Sequence, residues 1–80
     1  MNDKQHSAKF RKLLVGRKIV DIRYMTEDEA EHMMWNKRPL CLILDDGSAI
    51  IPQMDDEGND GGAMCFLGES GVEEILYVLQ

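Results

Sequence analysis

Two apolar runs, Leu40-Cys41-Leu42-Ile43-Leu44 and Ala49-Ile50-Ile51-Pro52-Gln53, meet across Asp45-Asp46-Gly47-Ser48. A two-residue Asp46-Gly47 loop suits a type I′ turn, so the sequence predicts an antiparallel hairpin. That turn sets Leu44 opposite Ala49, Ile43 opposite Ile50 and Leu42 opposite Ile51. Directly opposed residues share a face, which makes both faces of the hairpin apolar. Such a sheet must be covered twice, by curling into a small barrel or by a helix on its outer side. Pro52 has no N–H to give a ladder, so pairing weakens there.

The flanking segments supply candidate partners. Ile19 to Tyr24 alternates, with Val20, Ile22 and Tyr24 on one face and Asp21 and Arg23 on the other. Thr26-Glu27-Asp28-Glu29 has capping-box spacing and opens a helix that carries Ala30, Met33 and Met34 and stops near Trp35 or Asn36, before Pro39. Residues 1–6 read as a frayed N-terminus. A short helix follows, capped by Ser7, with Phe10, Leu13 and Leu14 at helical spacing and Gly16 as its stop. Ala63 to Leu67 reads as a fourth strand. The tail from Val72 to Leu79 fits either a helix or a short buried strand, and its β-forming residues favour the strand.

The expectation is one α+β domain over 7–80. It has a small, strongly bent antiparallel sheet of four to five strands, one helix between the first strand and the central hairpin, and the short N-terminal helix. No apolar run reaches the ~20 residues of a membrane helix, and the N-terminus lacks an apolar signal region. Cys41 and Cys65 sit singly in apolar segments, as thiols of a reducing compartment do. A cytoplasmic protein without membrane attachment is expected.

Charge is divided along the chain. The first 18 positions hold six basic residues and one acid; the other 62 hold three basic residues and fourteen acids. An acidic body argues against binding nucleic acid. A positive arm beside it favours a protein partner or self-association, as a homodimer for instance.

Asp55-Asp56-Glu57-Gly58-Asn59-Asp60-Gly61-Gly62 concentrates four carboxylates in a glycine-rich loop. Asp55, Asp56, Glu57 and Asp60 are the candidate metal ligands. Their spacing departs from the calcium-loop motif: counted from Asp55, the sixth position is Asp60 where glycine belongs. A structural, solvated loop is the stronger reading, and no cofactor is implied. His6, His32, Cys41 and Cys65 lack the close pairing of zinc ligands. Met33, Met34 and Trp35 read first as core; as a contact surface they would make Met34, Trp35, Lys37 and Arg38 the partner-facing set.

The run from Leu14 to Met25, the Thr26–Trp35 helix, Leu40–Pro52 and the Asp56-Glu57-Gly58-Asn59 loop together resemble a set of small uncharacterised bacterial proteins. Those share a G-x-x-I-V-x-x-R-Y start, a tryptophan before the hairpin and a D-x-E-G-N loop. The resemblance covers about residues 13–67. It implies an SH3-like, partly open barrel and brings no activity or catalytic residue. The function expected is a small non-enzymatic binding or accessory module acting through protein contacts. The alternative is a divalent-cation-dependent hydrolase using the Asp55–Asp60 loop.

Overall fold

The central hairpin forms, but in a different register. In the computed structural model, which describes residues 2–80, the chain runs α1 (Asp3–Leu14), β1 (Ile19–Tyr24), α2 (Glu27–His32), β2 (Leu40–Leu44), β3 (Ala49–Ile50), β4 (Met64–Leu67) and β5 (Glu73–Leu76). Leu44 N donates to Ser48 O at 2.9 Å and Gly47 N to Leu44 O at 3.0 Å, with Gly47 at φ 87°. This is a three-residue turn whose last member is left-handed. The added residue moves the pairing to Ile43 with Ala49 and Leu42 with Ile50. Because side chains alternate with period two, that slip turns β3 over relative to β2. Ile51 thus joins Ile43 against the core and does not share a face with Leu42.

β1 is turned over as well. Ile19 pairs with Leu44, but Asp21 pairs with Ile43, which leaves Val20 as a bulge. Asp21 and Arg23 therefore share the face of Ile43 and Cys41, and Arg23 reaches α2: Nη1 donates to Glu29 Oε1 at 2.8 Å and Nη2 to Oε2 at 3.0 Å. The apolar residues Ile22 and Tyr24 look the other way, beside Leu42, Leu40 and Ile50. On this second face Leu44, at the turn end, is buried, whereas Ile22 is 55% exposed and the rest are half-buried.

One bent sheet was expected; two separate antiparallel sheets are found, β1-β2-β3 and β4-β5, with no closed barrel. β3 ends before Pro52, and the chain then closes on itself. Met54 N donates to Asp60 O at 2.9 Å, Gly62 N donates to Pro52 O at 3.1 Å, and Gln53 bridges Gly61. This excursion carries β4 away from the first sheet. The C-terminal segment is a strand, and its end returns to Arg38 through reciprocal bonds with Leu79 at 2.8 and 3.0 Å.

α1 starts earlier than Ser7. Asn2 and Gln5 form a capping box, so most of the stretch read as frayed is the first helical turns; Met1 lies outside the described residues. No residue of α1 is buried. α2 has the Thr26–Glu29 box, with Glu29 N donating to Thr26 Oγ1 at 3.1 Å and Thr26 N to Glu29 Oε1 at 2.9 Å. It ends earlier than the sequence implies, because Met34 turns left-handed at φ 60°. Trp35 N then donates to Ala30 O at 2.8 Å and Met34 N to Glu31 O at 2.9 Å. These are the two bonds of a Schellman stop, with methionine where glycine is usual. The stop drives Trp35 into the core, where it packs with Met25, Ala30 and Cys41.

A left-handed non-glycine residue costs roughly 1–2 kcal/mol. Met34→Gly is expected to stabilise the fold by about 1 kcal/mol and raise Tm by roughly 4–8 °C in thermal melts, as a chain of this size should. An unchanged or lower Tm would show that Met34 carries packing that offsets its strain.

Candidate functional site

Trp35 and the acidic loop form one unit. The ring is 6% exposed, and its Nε1–H donates to Gly58 O at 2.7 Å. Asp60 closes the other side: its Oδ1 accepts from Asn36 N at 3.1 Å, Lys37 N at 3.0 Å and Gly61 N at 2.8 Å. Gly61 is needed for proximity, since a Cβ there would lie 2.6 Å from Pro39 Cδ and 3.2 Å from Lys37 O. Pro39 is itself fully buried. The loop is therefore latched across the segment that joins α2 to β2.

The four candidate ligands do different jobs. Asp55 is spent within the loop, with Oδ1 accepting from Glu57 N at 3.0 Å and Asn59 N at 3.2 Å, and Oδ2 from Asn59 Nδ2 at 2.8 Å. Asp60 faces the backbone of 36 and 37, while Asp56 and Glu57 are exposed. Among the described residues, no three His, Cys, Asp or Glu side chains are grouped to hold a metal ion.

Several carboxylates titrate low. Glu29 is held at about 2, chiefly by its hydrogen bonds from Arg23 and then by the Thr26 N–H. Asp55 is lowered by the Asn59 side chain and backbone. Desolvation pushes Asp60 up, but the N–H groups of Lys37, Gly61 and Asn36 outweigh it and the net shift is down. Cys41 moves the opposite way, its thiol raised by burial.

Of the contact candidates, Met34 alone projects: it is 88% exposed, at the mouth of a groove of about 520 Å³ floored by Ala30 and Trp35 and rimmed by Glu27, Glu31 and Arg38. Trp35 belongs to the core. Lys37 and Arg38 are half-buried and committed through their backbones to Asp60 and Leu79.

Sequence reading missed a surface feature, the exposed apolar residues of the first helix and the last two strands. Phe66 and Leu67 of β4, Ile75 of β5 and the nearby Tyr77 are all exposed, Leu67 at 71%. So are Phe10, Leu13 and Leu14 of α1. Their spacing assigns them to a helix and to strands, and only the packing reveals that nothing among the described residues buries them. No helix among the described residues is long and apolar enough to cross a membrane. The chain matches no protein-family model, no curated protein and no solved structure.

Trp35→Phe keeps a ring but removes the donor to the half-buried Gly58 carbonyl, a loss of roughly 1 kcal/mol. Amide exchange should quicken across residues 55–61 more than in β2. Equal acceleration everywhere would mean that the indole bond does not hold the loop. A second expectation concerns acid. Because Glu29 falls from an ordinary 4.5 to about 2 on folding, its contribution is complete above about pH 4.5 and is lost as pH drops toward 2. Asp46, Asp55 and Asp60 act with the same sign. Tm should fall through that window, and less steeply in Glu29→Gln; identical acid profiles would remove Glu29 from the account.

Proposed function

We propose that this chain is a small non-enzymatic binding or accessory module that works through protein–protein contacts. The observation carrying that reading is surface area. A folded monomer of this mass exposes about 4,900 Å², whereas this chain of 9.1 kDa exposes 6461 Å². Its radius of gyration is 14.0 Å, against about 11.6 Å for a compact chain of this length. Large apolar residues stand exposed on α1, at Ile22 on the second face of the first sheet and on the β4–β5 hairpin. Apolar side chains left open on several elements of a small protein mark contact sites where they gather into patches.

The acidic loop serves this module as a brace. It fixes the α2–β2 connection and so presents Met34 and the groove beside it on a rigid base. Crosslinking at native abundance in the host, followed by separation under gentle conditions, tests the reading. The chain is expected in an assembly heavier than one copy, with α1 and β4–β5 protected from hydrogen exchange relative to the dilute protein. A chain that runs free at the mass of one copy, with both regions unprotected, would overturn it.

A further inference from the structure

We infer that the partner of α1 is a second copy of this chain, and that α1 of each copy packs on the open face of the other copy's three-stranded sheet. The inference rests on the contact-module reading and names its partner and surface.

Helix α1 has caps but nothing to lie on. An isolated helix of about 12 residues is marginal in water even with ideal composition. α1 has 12 residues and buries none of them. Phe10 (48% exposed), Leu13 (57%) and Leu14 form one stripe, extended by His6, whose ring stacks on Phe10 at 5.9 Å. Helical geometry sets Lys9 on one flank of that stripe and Lys4 and Arg11 on the other. A stable helix with this pattern needs an apolar surface bordered by negative charge.

The first sheet offers the apolar part of such a surface, on a chain whose body is acidic. Its α2 side is closed by the Trp35 cluster. Its other side carries Ile22, which is exposed, with Tyr24, Leu40, Leu42 and Ile50 half-buried around it and Leu44 buried at the turn end. A helix laid on a sheet face is the ordinary way to close such a layer. The lengths agree: 12 helical residues and six strand residues each span about 18–20 Å.

Within one copy α1 is tied by its root to the turn edge of the sheet. Gly16 is left-handed at φ 85°, Arg17 Nε lies 3.5 Å from Asp46 Oδ2, and Asp45 N donates to Lys18 O at 3.0 Å. That root sends the helix off its own sheet, and an exchange between two copies satisfies both surfaces at once. The result is a two-fold, self-complementary contact.

Area and charge favour a second copy over other occupants. The surface above that of a compact monomer is about 1,600 Å² per chain, shared among α1, the sheet face and β4–β5; burying about half of it on each copy gives about 1,600 Å² for a pair, the size of a standard specific interface. The first 18 residues carry net +5 and the remaining 62 carry −11, so the arm of one copy is drawn to the body of another. An anionic membrane would attract the same arm but repel the body, and a stripe of three large apolar residues without tryptophan is thin for a lipid surface.

Sedimentation of the full chain tests the inference, with Phe10→Lys in the helix and Ile22→Asp on the open face. Neither residue is in the core, so both variants are expected to retain the wild-type circular dichroism of α2 and the sheets. Wild type should be a dimer at about 50 mM salt and weaken at 0.5 M, as screened charges do. Each variant alone should be monomeric. Mixed together they should recover a dimer, because one intact helix then meets one intact face, and the altered pair juxtaposes opposite charges. As a check that needs no variant, zero-length crosslinking of isotopically mixed wild-type copies should join Lys4 or Lys9 of one copy to a carboxylate of another.

A wild-type dimer indifferent to both substitutions, or with crosslinks confined to β4–β5, would overturn this contact while leaving the module reading in place. So would a chain that assembles in the host only with a different protein. A chain that is monomeric at 100 μM and unassembled in the host refutes both. A monomer that binds phosphatidylserine vesicles through α1, losing binding in Phe10→Lys, would assign the helix to a membrane surface and overturn the dimer.

Discussion

The structured half of this molecule depends on where Trp35 is put. Thr26 and Glu29 start a six-residue helix that could not persist unaided, and the left-handed turn at Met34 ends it so that the next residue enters the core. Trp35 N holds the carbonyl of Ala30, which the ring also packs against, so one residue caps the helix and fills the cluster. Its indole then fixes Gly58, while Asp60 takes the two backbone N–H groups that follow. Helix, strand and loop thus meet at one side chain.

Away from that centre the chain satisfies its backbone but not its side chains. The described buried apolar set is Met25, Ala30, Trp35, Cys41 and Leu44, with Pro39 beneath Gly61. A core of that size gives a small domain little margin. The β4–β5 hairpin is attached mainly by the exchange between Leu79 and Arg38 and carries its apolar residues outward. Two-stranded hairpins and lone helices are the elements least able to stand alone in water. That these two hold many of the exposed apolar residues, with others on β1 and at the end of α2, follows from a single cause: the described elements are too few to cover all their faces.

Local signals in the sequence were legible wherever a backbone group and a nearby side chain settle the matter. The Thr26–Glu29 box, the strand break at Pro52 and the β5 strand read correctly. The Asn2–Gln5 box obeys the same rule and lies within the stretch that the sequence reading takes as frayed. Register was not legible. Asp46-Gly47 admits both a two-residue and a three-residue turn, and the choice decides whether Ile51 faces the core. Val20 shows the same limit, since a bulge leaves the alternation intact in sequence while reversing which side of β1 meets α2. The loop's glycines read as permission to bend, whereas Gly61 is there because Pro39 leaves no room for a Cβ.

Of the four carboxylates that suggest a cation, two have structural work: Asp55 folds its own loop and Asp60 ties that loop to the α2–β2 connection. Elsewhere Glu29 joins a helix cap to Arg23 and Asp46 shapes the β2–β3 turn through Ser48. A charged acceptor makes a stronger bond to backbone N–H than a neutral amide does, which is reason enough for acids at these points. Asp56 and Glu57 remain in solvent and add to the negative field of the body. That field has a directional effect. Two bodies approaching face to face set −11 against −11, whereas an approach that brings the basic arm of one to the body of the other sets +5 against −11. The same acids that lock the fold therefore also add repulsion to an approach of body to body.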